Sequence, residues 1–346
     1  MHHKLLQGSS SLLAKHLTPE REAELASVTT DRGFTIDHVV QSGVQNPDSS
    51  VGVYIPDEES YRAFAPLIHP VVCDYHGIPE QVAHTRDFDV SNRQVRNPDP
   101  TGEYVISTRI RVGRNLAGVP FAPGINKEER DEVERRIVEA LEGLEGDLAG
   151  TYYPLKGMDE ATREQLVNDH FLFKQGDRFL ESAGANRDWP DGRGIFHSAD
   201  KKFLVWVNEE DQLRIISMEQ GGDIASVFDR LVRAFTALEE RLQFAYADDY
   251  GFLSSCPTNL GTAMRASVHI KVPNLEAAGT LKGLCDELGL SVRGIHGEHS
   301  ESEGGVYDIS NKRRLGVSEA DIAELLTIGV ERLIAEEKKL AAKVAA

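Results

Sequence analysis

The sequence predicts an α+β protein built from a small helical N-terminal part and a larger part that mixes strands with long helices. Three observations carry this. The first 90 or so residues show helix starts and turn formers, with no alternating strand pattern. The stretch 87–101, DFDVSNRQVRNPDPT, combines two prolines with mixed charge and reads as a linker. Beyond it, strand and helix patterns follow one another without the regular alternation of a parallel doubly wound sheet. The boundary falls near residue 95, giving parts of 1–95 and 96–346.

The elements follow in order. The opening MHHKLLQGSSS is polar and carries no fold information. Thr18-Pro19-Glu20 is a helix start, a capping hydroxyl followed by proline at the first helical position. Residues 42–57, SGVQNPDSSVGVYIPD, hold many turn formers and read as a loop. Tyr104 to Val112 alternates as a strand, and Asn126 to Leu141 follows as a helix with Asn126 and Glu129 spaced for a capping box. Phe203–Val207 and Leu213–Met218 flank NEEDQ as a hairpin with an exposed acidic tip. Val227, Leu231, Phe235, Leu238 and Leu242 stripe one helix face. Ser254 to Gly261 is turn-rich and leads to a strand at Val268–Val272. Gly294–Gly305 is a glycine-rich acidic loop, and Ile322, Leu325, Leu326 and Leu333 mark a closing helix.

With 346 residues and 40% hydrophobic content, the chain can bury a full core. It has no apolar run long enough for a membrane span and no secretory layout at its start, which places it in the cytoplasm with no membrane partner. Cys73, Cys256 and Cys285 lack C-x-x-C spacing, against a disulfide framework or a zinc site. A net charge of −18 opposes nucleic-acid binding, so an anionic ligand needs a local basic pocket.

No G-x-x-x-x-G-K-[ST] or G-x-G-x-x-G phosphate cradle occurs, so side chains would have to hold a polyphosphate. Ser107-Thr108-Arg109-Ile110-Arg111 puts two guanidinium groups on one strand face, either as a phosphate bracket or as a solvated face with surface ion pairs. Asn208-Glu209-Glu210-Asp211 with Arg214 is a charged turn, by itself as easily solvated as functional. Cys256-Pro257-Thr258-Asn259-Leu260-Gly261-Thr262 fixes a turn around a partly exposed thiol, reactive or an inert small hydrophobe. The run from Arg293 to Gly305 is a lid or simply a surface loop; glycines between His296, Glu298, His299 and Glu301 argue against a metal site.

Taken together and in order, STRIR, VWVNEED, LRIISM, CPTNLGT, MRASVHI and VRGIHGEHSESEGGVYDISNKRRLG closely resemble the phosphagen kinases, the ATP:guanidino phosphotransferases, and their arginine kinase branch in particular. The resemblance runs from about Ser11 to the C-terminus. It implies a small all-helical N-terminal domain and a larger catalytic domain in which an antiparallel sheet is flanked by helices. It also implies reversible phosphoryl transfer between ATP/ADP with Mg2+ and free L-arginine, usually by a monomer.

Residue by residue, the resemblance assigns the phosphate-clamping arginines to Arg109, Arg111, Arg214, Arg265 and Arg293. The nucleotide pocket would take Ser107, Thr108 and Ile110, His170, the run Ala266, Ser267, Val268 and His269, and Gly294, Ile295, His296, Gly297 and Glu298. Glu210 and Glu298 correspond to the carboxylates that grip the guanidinium, and Cys256 to the family's reactive thiol. Ser49, Ser50, Val51, Gly52, Val53 and Tyr54 correspond to the specificity loop. Glu209 and Asp211 are candidates for the waters of magnesium, which no residue binds directly. The chain departs from the arginine kinase pattern at Ser50, where glycine is expected, and at His296, where a second arginine is expected. A protein-arginine kinase would lack the N-terminal helical domain. Taurocyamine, glycocyamine and creatine are the competing acceptors.

Overall fold

The computed structural model describes residues 2–79, 82–169, 171–173, 175–294 and 304–344. The N-terminal part is helical: α1 His2–Leu5, α2 Leu12–His16, α3 Pro19–Leu25, α4 Ile36–Gln45, α5 Ser60–Ala63 and α6 Ala65–His76. Thr18 caps α3 as expected, accepting the backbone N–H of Arg21 at 3.3 Å, with Pro19 at the first helical position. The opening residues do more than the sequence suggests, because His2 and His3 engage the Glu22 carboxylate and fold α1 onto α3.

Residues 42–45 belong to α4 rather than to the loop. Ser42 and Gly43 look like helix breakers, but the Ser42 hydroxyl donates to the Phe179 carbonyl at 2.9 Å and Gly43 is bare so that another backbone can pass. A Cβ on Gly43 would sit 2.2 Å from the Gly52 carbonyl oxygen. Gly52 itself has φ +85, a conformation that side chains rarely adopt.

The larger part runs β1 Val105–Arg114, α7 Lys127–Glu142, β2 Gly150–Pro154, α8 Glu160–Asn168, α9 Arg178–Ser182, β3 Gly194–Ser198, β4 Phe203–Val207, β5 Leu213–Gln220 and α10 Ile224–Glu239. The short ribbon β6 Tyr246–Ala247 and β7 Gly251–Phe252 precedes β8 Met264–Lys271, α11 Pro273–Ala277, α12 Leu281–Glu287, β9 Leu290–Gly294, β10 Val306–Asn311 and α13 Glu319–Val344. Eight of these strands form one antiparallel sheet in the order β2-β3-β4-β5-β1-β8-β10-β9.

The capping box of α7 is present, Asn126 accepting the Glu129 N–H at 2.8 Å and Glu129 returning the contact at 3.2 Å. Strand β8 starts at Met264, four residues before the sequence suggests, because Arg265 and Ser267 interrupt the apolar run by which a strand is read. Leu242 is buried but lies past the end of α10.

One sheet face is dry. Ile110, Val112, Val205, Val207, Ile215, Val268 and Ile270 pack there against Val133 and Ile137 of α7, Phe228, Leu231 and Phe235 of α10, and Ile322 and Leu326 of α13. A second core gathers α2–α6 around Leu13, Val39, Val53, Phe64 and Leu67, and takes Phe121, Tyr250, Leu253, Leu260 and Leu315 from the later part. The linker is extended and tied down: Arg93 pairs with Asp321 at 2.7 Å and Arg96 with Glu331 at 2.7 Å, both on α13.

The Gly43–Gly52 contact predicts that Gly43→Ala forces two backbones apart and destabilises the protein by roughly 1–3 kcal/mol, the usual cost of overpacking. Urea unfolding measures it, and an unchanged midpoint would show that the loop gives way freely.

Candidate active site

The other face of the sheet carries the charge, and the strand register decides which residues share it. Arg111 of β1 lies directly opposite Arg265 of β8 and Ile216 of β5; Arg109 lies opposite Ser267 and Met218; Ser107 lies opposite His269. Paired residues of antiparallel strands face the same way. The row continues from His269 to Asp308 on β10 and Arg293 on β9, while Gly113 faces Arg214 on β5. Arg109, Arg111, Arg214, Arg265 and Arg293 therefore stand on one sheet face, on the three neighbouring strands β5, β1 and β8 and on the edge strand β9.

The same register corrects part of the assignment. Thr108, Ile110, Ala266 and Val268 alternate with these residues and point the other way. Ile110, Ala266 and Val268 lie in the dry core, and the Thr108 hydroxyl donates to the Gly221 carbonyl at 2.8 Å. Only their backbone is left to meet a ligand. His170, Ile295, His296, Gly297 and Glu298 lie outside the described residues.

The arginines differ in what holds them. Arg214 pairs with Glu209 at 2.9 Å and with Glu210 at 2.8 Å, and Arg265 pairs with Asp308 at 2.8 Å. Arg109 and Arg214 both lie over the Trp206 ring, at 5.6 and 5.5 Å. Among the described residues the Arg111 guanidinium makes no hydrogen bond or ion pair. Burial, followed by the charges of Arg214, Arg109 and Arg265, presses the Arg111 guanidinium well below its ordinary value; Arg109 is lowered by burial and then by Arg214 and Arg265. Such a surface attracts a polyanion.

The acidic hairpin tip is not exposed. Asn208 and Asp211 are buried, because the Asn208 amide donates to the Gly192 carbonyl at 2.7 Å and Asp211 Oδ1 accepts from Asn115 Nδ2 at 2.8 Å and Ser255 N at 3.1 Å. Asp211 thus ties the hairpin to the segment before Cys256. Glu210 accepts at Oε2 from Arg214 Nη2 at 2.8 Å and Asn259 Nδ2 at 3.2 Å. Burial outweighs Arg214 and holds the Glu210 carboxyl above the usual carboxylate range.

The Cys256 thiol is also buried rather than partly exposed, and contacts the Thr258 hydroxyl at 3.1 Å. Burial, then the Glu210 charge, pushes it up to about 12, so in this structure it is a neutral thiol and not a thiolate.

The Ser49–Tyr54 segment is pinned beside this turn. Leu12 and Leu13 N–H groups donate to the Ser50 and Val51 carbonyls at 3.0 and 2.9 Å, and Ile55 N donates to the Ser255 carbonyl at 2.7 Å. On its other side Arg178 of α9 pairs with Asp48, one contact being 3.0 Å. Val51 and Val53 side chains belong to the N-terminal core, which leaves Tyr54 as the large group of the segment near the charges. Burial, followed by Cys256 and Glu210, raises the Tyr54 hydroxyl, so it stays a neutral donor.

Asn259, Asp308 and Arg314 were not singled out from the sequence. Arg314 donates from Nη1 to the Thr258 carbonyl at 2.9 Å and to Asn259 Oδ1 at 2.7 Å. It lines a small recess with Arg111, Arg214, Arg265 and Asp211. All three sit in or beside motifs already in view, CPTNLGT and DISNKRRLG, and only the register and turn geometry mark them.

The family model of the ATP:guanido phosphotransferase C-terminal catalytic domain matches residues 132–340, and that of the N-terminal domain matches residues 7–73. The chain belongs to the ATP:guanido phosphotransferase family. It is 51% identical to the arginine kinase of Liolophura japonica over 95% of both chains, and 50% identical to that of Limulus polyphemus over 98% of this chain and 96% of the other. It is 55% identical to the arginine kinase of Anthopleura japonica over 95% of its own length, but spans only 46% of that enzyme. Among solved structures, lombricine kinase is similar with a TM-score of 0.93 and 38% identity, over 98% of this chain and 94% of that one. The duplicated taurocyamine kinase of Schistosoma mansoni, with bound transition-state analogue components, has a TM-score of 0.91 and 44% identity; this chain covers 48% of it. As a guanido phosphotransferase the protein is a phosphoryl-transferring enzyme, and its arginine-lined sheet face suits the phosphates of ATP.

Because Arg111 is surrounded by like charge, Arg111→Met is expected to leave the melting temperature unchanged or higher while weakening ADP binding at least tenfold. Thermal melts with and without ADP test both halves; a lower melting temperature with intact ADP stabilisation would remove Arg111 from the phosphate site.

Proposed function

We propose that this phosphotransferase is an arginine kinase, moving the γ-phosphoryl group of Mg-ATP reversibly onto the guanidinium of free L-arginine. The observation that carries the reading is the placement of Glu210: its Oε2 is held by Arg214 and Asn259, and its Oε1 makes no hydrogen bond among the described residues. Relatives near 50% identity over most of the chain are arginine kinases, which supports arginine as the acceptor.

A free guanidinium has no available lone pair, since its pKa exceeds 12. Removing its proton beforehand would cost on the order of 8 kcal/mol for a pKa near 13. The proton must therefore leave as the N–P bond forms. Glu210 Oε1 can grip the guanidinium and take that proton, and a carboxyl raised by burial is a better acceptor than an ordinary one. The N–P bond forms, the bond from γ-phosphorus to the bridging oxygen breaks, and ADP leaves. Glu298 would supply the second carboxylate grip.

Charge developing on the equatorial oxygens would be met by Arg109, Arg111, Arg214, Arg265 and Arg293, single groups of this kind contributing roughly 10³ to 10⁵ in rate. Ser107, Ser267 and His269 share that face and would line the nucleotide side, with His170 and the run Gly294 to Glu298 completing it. Magnesium carried in with ATP would neutralise part of the phosphate charge. Asp211 Oδ2 accepts no hydrogen bond and is suited to its waters, whereas Glu209, the other candidate, has its Oε2 held by Arg214 at 2.9 Å.

Cys256 would orient the acceptor beside Glu210 without becoming covalently modified, and Ser49–Tyr54 would cup its amino-acid end. Residues 1–95 would then form the specificity domain and 96–346 the catalytic domain. No described helix is long and apolar enough to cross a membrane. A monomeric cytoplasmic enzyme with no nucleic-acid or membrane partner accords with the net charge of −18.

A panel of L-arginine, creatine, glycocyamine, taurocyamine and lombricine in a coupled ADP assay tests the acceptor. Arginine is expected to turn over at least tenfold faster than any other, and equal turnover of another guanidine would overturn the assignment. Glu210→Gln is expected to lower kcat by two or more orders of magnitude with ADP affinity nearly intact, a loss that near-normal turnover would contradict.

A further inference from the structure

Helix α6 ends against the turn that carries the thiol. Gly77, at φ +61, stops the helix, and its last residue His76 lies against Pro257. His76 Nε2 is 2.9 Å from the Pro257 carbonyl oxygen. A carbonyl can only accept, so Nε2 carries the hydrogen and the ring needs no charge to make the bond. Burial keeps it neutral, pushing the imidazole down to about 4.

The neighbouring carbonyl of the same turn, that of Thr258, is held by Arg314 at 2.9 Å. Two consecutive carbonyls of the Pro257–Asn259 turn are thus fixed from outside, one by the N-terminal part and one by the catalytic part. What they fix matters for chemistry. Cys256 precedes the turn and contacts Thr258 within it, and Asn259 at its end donates to Glu210 Oε2 at 3.2 Å.

We propose that His76 is a positioning residue for phosphoryl transfer: its Nε2–H anchors the Pro257 carbonyl, and so aims the Cys256 thiol and, through Asn259, the Glu210 carboxylate at the acceptor. The inference rests on the reading of Glu210 and Cys256 given under Proposed function. His76 touches no reacting atom. It acts through a hydrogen bond that a glutamine amide can also make and an aliphatic side chain cannot.

The test compares His76→Leu with His76→Gln in the full chain. His76→Leu is expected to lower kcat at least tenfold and raise KM for arginine, with KM for ATP within twofold of the parent; His76→Gln should recover kcat to within about threefold. Alkylation of Cys256 by iodoacetamide, followed by peptide mass spectrometry, should change at least threefold in rate in His76→Leu and not in His76→Gln. Parental kinetics and alkylation in His76→Leu, or equal damage in both variants, would overturn the proposal. If His76→Leu does not fold, His76→Asn, whose shorter amide cannot reach the carbonyl, takes its place under the same criteria. An inactive parent would sink the arginine reading, while the alkylation arm would still decide whether the anchor exists.

Discussion

Two arginines placed directly opposite each other on adjacent antiparallel strands, Arg111 and Arg265, are the constraint on which the rest of this molecule depends. Opposed like charges weaken a strand pair. These strands hold because their reverse face is mainly apolar, with Ile110, Val112, Ala266 and Val268 lying among helices α7, α10 and α13. The core stabilises a charged face that could not support itself. Neutralisation on that face is uneven: Arg214 meets two carboxylates and Arg265 meets one, whereas Arg111 meets none among the described residues. The least compensated guanidinium stands in the middle of the array, where an incoming polyanion gains most.

How legible this was depended on which force set each feature. Elements set by local pattern were readable: the capped start of α3, the capping box of α7, the hairpin β4–β5 and the stripe of α10. Features set by tertiary contact were not. Gly43 looks like a breaker until the Gly52 backbone is seen lying against it. The NEED tip looks solvated until Asn115, Ser255 and Gly192 are seen to take up its polar atoms. Strand alternation should have separated Thr108 and Ile110 from Arg109 and Arg111, but a contiguous motif invites contiguous assignment. Arg314 and Asp308 carried no signal of their own, since a cation or carboxylate in a motif shows neither its face nor its partner.

The N-terminal part contributes to the site without supplying a charged group to its centre. Ile55 N and the Tyr61 hydroxyl bind the carbonyls of Ser255 and Ser254 at 2.7 Å each, and His76 binds that of Pro257. Three bonds from three helical or loop segments hold one short run of backbone around Cys256. That run is not part of the sheet, so its shape is set from outside. This explains why a helical part with its own core is joined to the later part through Phe121, Tyr250, Leu253, Leu260 and Leu315.

Glu210 and Cys256 are both raised by burial, and the charge of Glu210 raises Cys256 further. A cation entering between them would favour the charged form of both. By linkage, whatever factor the cation contributes to their ionisation, their ionisation returns to its binding. On the proposed reading, a guanidinium beside Glu210 would further favour the carboxylate that grips it and receives its proton, which a neutral amine would not do. On that reading, selection for a guanidino group and its activation would both follow from the same buried pair. The arginines proposed to hold phosphate, whose charge is permanent, would need no such coupling.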